Sequence, residues 1–89
     1  MKHRCKSCLL AIGDETRVNI YFHLIDKDLC VNDLKMLLNL SQSTVSYHLN
    51  VLEKQGLLNK KLSGRKSIFS INKHCPFYKT KCVLSHLTN

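Results

Sequence analysis

Residues Leu40–Asn72 read LSQSTVSYHLNVLEKQGLLNKKLSGRKSIFSIN, and this stretch decides the fold. Ser41 suits a helix N-cap, because a short side-chain oxygen there accepts a free amide of the first turn. A helix is expected from Gln42 to about Gln55, closed by Gly56 at the C′ position, where left-handed backbone is needed. Val45, Leu49 and Leu52 fall on one face of that helix, and Ser43, Tyr47, Asn50 and Lys54 on the opposite one. Leu57–Leu62 and Ser67–Asn72 read as two strands. Ser63, Gly64, Arg65 and Lys66 connect them, with Gly64 permitting a positive φ. The layout is a helix-turn-helix followed by a two-stranded wing.

Working back from this stretch, Asn39, Leu40 and Ser41 make the turn, and Asp33–Asn39 is a short helix with Leu34, Leu37 and Leu38 inward. Asn32 is expected to cap it, after a short apolar step at Leu29, Cys30 and Val31. Asp14 suits the N-cap of a longer helix, and Glu15 its positive end. That helix carries Val18, Ile20, Tyr21, Phe22, Leu24 and Ile25 and ends at Asp26-Lys27-Asp28. Before Gly13, residues 2–12 form a first helix with Cys5, Cys8, Leu9 and Ile12 on one side. Working forward, His74–Thr88 reads as a last helix, with Pro76 in its first turn. The expected fold class is mainly α with a small β-wing: helices plus a two-stranded antiparallel hairpin, in a single domain over residues 1–89.

A chain of 89 residues suits one domain, and a hydrophobic fraction of 44% argues against disorder. No apolar run approaches the roughly 20 residues of a membrane span, and no cleavable apolar segment follows Met1, so a cytoplasmic protein without a membrane partner is expected. The charge is uneven. Up to Glu53 there are six basic and six acidic residues; from Lys54 onward there are eight basic residues and no acid, which accounts for the whole excess of +8. Clustered Lys and Arg release counterions from nucleic acid on binding. Short hydrogen-bonding groups near the start of the second helix of the pair suit base edges in a major groove. Together these imply double-stranded DNA as the partner. A winged helix acting only as a protein-docking module is the reading against which the basic wing and polar helix face speak. No glycine loop for phosphate, no paired carboxylates in the C-terminal half and no nucleophile–base pairing is present, so an enzyme is not expected.

The segments GDETRVNIYFHL, DLCVNDL, LSQSTVSYHLNVLEKQGLL and GRKSIFSIN resemble the ArsR/SmtB family of winged-helix transcriptional repressors over roughly Leu10–Asn72. The resemblance implies a homodimer built from the first and last helices (about 2–12 and 75–88), bound to a palindromic operator and needing no cofactor to bind it. In most members an inducer, often a soft metal or metalloid ion, releases the DNA. Carried onto this sequence, the groove-entering helix is Gln42–Gln55, and Gln42, Ser43, Thr44, Ser46, Tyr47 and His48 are the contact positions. Arg65 and Lys66 at the wing tip reach a phosphate or the adjacent minor groove. Ser43 and Thr44 have a second use in satisfying the helix N-terminus, Tyr47 in packing on a neighbour, and His48 as a half-buried histidine.

Five cysteines, Cys5, Cys8, Cys30, Cys75 and Cys82, are an odd number, which argues against a pure disulfide framework. Thiolates at C-x-x-C spacing, as at Cys5 and Cys8, can grip one soft ion. Some metal-sensing family members carry C-V-C before the recognition helix and pair it with N-terminal cysteines of the partner subunit. Here the corresponding segment is Cys30-Val31-Asn32, leaving a three-thiolate set of Cys5 and Cys8 from one chain and Cys30 from the other. The family's carboxylate–histidine zinc site on the last helix is excluded, because no Asp or Glu lies there. Cys75, Cys82 and His86, spaced seven and four apart, form an alternative thiol or metal set. A thiol–disulfide switch between the terminal segments is a third reading, and small buried cysteines without a signalling role a fourth.

Overall fold

Asp14 starts the first fully described helix in the way its side chain dictates. Its carboxylate accepts the Arg17 backbone N–H at 3.1 Å, and this bond holds its carboxyl below the ordinary range. The computed structural model describes residues 3–75 and 80–81, with side chains described over residues 8–73. The chain runs through helices α1 (His3–Ile12) and α2 (Glu15–Asp26), strand β1 (Leu29–Cys30), helices α3 (Val31–Leu38) and α4 (Gln42–Lys54), and strands β2 (Leu58–Ser63), β3 (Lys66–Ile71), β4 (His74–Cys75) and β5 (Thr80–Lys81).

The 3.6-residue period decides what is buried. Ile20, Tyr21 and Leu24 of α2, Leu34 of α3 and Val45, Leu49 and Leu52 of α4 meet in one apolar cluster, closed by Leu57, Leu58 and Phe69. Each such side chain contributes about 1.5–3 kcal/mol when fully buried. Cys8 and Ala11 bring α1 onto the same cluster. Two expected core residues lie outside it: Leu37 is 54% exposed and Phe22 50%. A helix of 8 residues presents only two turns, and its stripe is spent on Leu34 and the half-buried Leu38.

The sheet has three strands in the order β1-β3-β2, all antiparallel. The hairpin is in register from Leu58↔Ile71 to Ser63↔Lys66, turning at Gly64 with φ +63°. The third strand is the apolar step before α3, paired Leu29↔Phe69 and Cys30↔Ile68, so the expected two-stranded wing is rooted on a further strand. The cap of α3 also differs from expectation. Cys30, not Asn32, is the N-cap, and its backbone N–H and thiol both donate to Asp33 Oδ2, at 3.1 and 3.2 Å.

The expected helix over 74–88 is corrected where residues are described. His74–Cys75 and Thr80–Lys81 are short strands paired with each other, His74↔Lys81 and Cys75↔Thr80. Pro76 biases the residue before it toward extended backbone, the conformation in which Cys75 pairs with Thr80. The rest of that segment, with Cys82 and His86, lies outside the described residues.

Candidate nucleic-acid interface

The turn before α4 is set by Asn39, which adopts φ 54° and ψ 48°, a left-handed conformation that Asn tolerates better than most residues. Ser41 then caps α4. Its Oγ accepts the Thr44 N–H at 3.2 Å, donates to Thr44 Oγ1 at 2.8 Å and lies 3.3 Å from Ser43 Oγ. At the far end, Gly56 takes φ 80° and the Leu57 N–H reaches back to the Leu52 carbonyl at 3.0 Å. Asn72 ties the end of the wing to this point: its Nδ2 donates to the Gly56 carbonyl at 3.0 Å and its backbone N–H to the Leu57 carbonyl at 2.9 Å. The C-terminal end of α4 is thereby tied to the end of the hairpin.

Between α3, α4 and the wing runs an open groove of about 420 Å³. Gln42, Ser46 and Asn50 line it from α4, spaced four apart on one stripe; Asn32 and Lys35 line it from α3; Lys60, Arg65, Lys66 and Ser67 line it from the hairpin. The described lining holds four cations and no carboxylate. On the flank of the same helix Ser43 and Tyr47 are exposed. A duplex is the ligand class this shape suits. A helix with short polar groups enters a groove, and cations beside it neutralise the bordering phosphates.

The structure brings Gln42, Ser46, Arg65 and Lys66 to one groove, and Ser43 and Tyr47 to its border. Thr44 is half-buried and engaged by the Ser41 cap. His48 is half-buried, with Nδ1 3.1 Å from Arg17 Nη1 and its ring edge-on to Tyr47. The sequence reading missed Lys35 and Lys60 as groove residues, and took Asn50 only as part of an outer face. Asn50 was accessible from its spacing to Gln42 and Ser46. Lys35 and Lys60 arrive by tertiary folding and carry no local signal.

The thiols take separate places. Cys8 is buried, and its Sγ donates to the Gln55 carbonyl at 3.4 Å, while Cys30 is buried against Asp33. The Cys30 backbone N–H, followed by its thiol, holds the Asp33 carboxyl below the ordinary range, with Lys66 and Lys27 acting in the same direction. Among the described residues no group of three His, Cys, Asp or Glu side chains is placed to hold a metal ion. The Cys5 and Cys75 side chains, Cys82 and His86 lie outside the described residues. No helix among the described residues is long and apolar enough to cross a membrane.

Fold and groove define a winged helix-turn-helix protein. A family model described as "Bacterial regulatory protein, arsR family" matches residues 14–60. The chain is 33% identical over 73 residues to the transcriptional activator HlyU of Vibrio cholerae, covering 80% of this chain and 68% of that protein. It is 34% identical over 73 residues to the arsenical resistance operon repressor of Escherichia coli, covering 81% of this chain and 62% of that one. A solved structure of HlyU from Vibrio cholerae superposes with a TM-score of 0.76 at 31% identity, over 81% of this chain and 82% of the other. The chain belongs to the ArsR family, and these relatives are transcription regulators, not enzymes.

Proposed function

We propose that this chain binds a palindromic operator in double-stranded DNA as a homodimer and represses the adjoining gene. The α4 face bearing Gln42, Ser43, Ser46, Tyr47 and Asn50 enters the major groove. Thr44 and His48 support that face from within the helix. Arg65 and Lys66, with Lys35 and Lys60, take the flanking phosphates. The observation that carries the reading is the groove itself: its described lining has four cations, no carboxylate, and three short polar side chains in line on one helix. Leu10 of α1 and Phe22 of α2 are exposed apolar residues that a second copy would cover, which supports dimerisation through the N-terminal helices.

The test is selection from a randomised duplex library, followed by footprinting on the enriched sequence. A symmetric footprint of two half-sites is expected. Equal binding to competitor DNA at moderate salt would overturn the reading. A reporter behind the bound site separates repression, the sense in the Escherichia coli relative's name, from the activation in the HlyU name.

The release signal is assigned to the thiols, with a soft ion such as arsenite, cadmium or lead held by Cys5 and Cys8 of one chain and Cys30 of its partner. Two observations support Cys30 in this role. It borders the cation-lined groove, and it pairs with Ile68 of the wing strand, so chemistry at its sulfur bears on the wing's root. The name of the arsenical relative agrees with a thiolate inducer site. Cys75, Cys82 and His86 are the alternative set. Measuring DNA release with arsenite, cadmium, lead, zinc and peroxide, and counting metal per dimer, separates ion from redox release; release by none leaves a constitutive repressor.

A further inference from the structure

Arg17 connects three elements through one side chain. Its backbone N–H is held by the Asp14 carboxylate, its Nε donates to the Ala11 carbonyl at the end of α1, and its Nη1 lies 3.1 Å from Nδ1 of His48 in the middle of α4. A guanidinium has donors only, so a hydrogen bond at this contact requires Nδ1 of His48 as the acceptor, with the ring proton on Nε2. The charged groups placed around this imidazole are Arg17 from α2 and Asp14 from the turn before it, and Tyr47 flanks it on its own helix.

We infer that Arg17 is a positioning residue for DNA binding, fixing α4 to the α1–α2 corner through His48. The inference rests on the DNA reading above and goes beyond it, since neither residue needs to touch DNA for the link to act. Without the link, α4 keeps its apolar seat on Val45, Leu49 and Leu52 but loses the Arg17–His48 tie from its middle to the corner where α1 ends. If dimerisation uses α1, the same tie sets the spacing between the two reading helices.

The experiment has two arms on the full chain. In the first, ¹⁵N-resolved NMR of the imidazoles without DNA reads the tautomer. The Nε2–H form of His48 is expected in the wild type at pH 8, with loss of that preference in Arg17→Ala. An Nδ1–H His48, or one that is unchanged in R17A, overturns the inference. In the second, affinity is measured on a duplex selected by the wild type, with circular dichroism confirming fold. R17A and H48A are expected to weaken binding at least about tenfold, as for removal of a charged hydrogen bond, while H48N, which restores an acceptor, recovers part of that loss. Folded R17A and H48A that bind like the wild type overturn this inference alone. A wild type that selects no duplex overturns the DNA reading, and the positioning role with it.

Discussion

The reading helix and the wing meet the same proposed partner but are held by different forces. Helix α4 is seated by side chains: Val45, Leu49 and Leu52 are completely buried, and its polar face points away from them. The outer part of the hairpin is seated by backbone. Beyond Leu58 every residue of β2 is exposed, and the ladder to β3, with β1 on the other edge of β3, sets its direction. The difference teaches where stability and recognition can be separated. On α4 they share one helix on opposite faces. At the wing tip Arg65 and Lys66 project from a ladder whose register does not depend on their side chains.

Leu49→Ala should break the comparison most severely. It opens a cavity beneath α4 at a cost of about 2–5 kcal/mol, so thermal unfolding should drop by many degrees and DNA binding should fall with it. An L49A protein of wild-type stability would show that α4 is not seated by its apolar face. Ser43→Ala tests the opposite face. The fold should persist, and discrimination at one base pair should relax by about 1–3 kcal/mol, seen as a broadened consensus in repeated selection. Gly64→Ala probes the backbone-held wing. Its φ of +63° is strained for an L side chain although the space is open, so about 1 kcal/mol of stability should be lost without a clash.

Asp33→Asn has the smallest expected effect and sharpens the link between α3 and the wing. The folded-state carboxyl is depressed, so its contribution is present above the ordinary carboxylate pKa and disappears as pH falls through the folded value. The wild type should melt above D33N at neutral pH, and the two curves should converge in acid. A gap that persists in acid would assign the effect to something other than ionisation.

Much of this was legible in the sequence, for reasons the two regions make plain. Helix α4 shows in its 3.6-residue period, its serine cap and its closing glycine, and the hairpin shows in the basic glycine turn between two short strands. The same period places Ser43, Tyr47, Asn50 and Lys54 on the outer face, while Gln42 and Ser46 come with the family resemblance. What was hidden is what folding assembles. Strand β1 is two residues long, too short to display alternation, and becomes a strand only because β3 offers an edge. Lys35 and Lys60 belong to the groove through packing alone. Cys30 takes the cap expected of Asn32 because Asp33 turns back to its amide and thiol. Around Pro76, apolar and cysteine spacing suggested a helix where the described residues pair as strands. His48 reads as a contact position in the sequence, and the fold adds Arg17, 31 residues earlier, at its Nδ1.

The claim at the centre is that the cation-lined groove beside α4 neutralises DNA phosphates, and the most direct test is the salt dependence of binding to a selected duplex for the wild type and Arg65→Ala. The wild type should give a linear fall of log affinity with log salt. R65A should give a slope shallower by about one, as expected when one phosphate is no longer neutralised, with weakening across all sequences. A slope unchanged by R65A, or affinity indifferent to salt, would contradict the account.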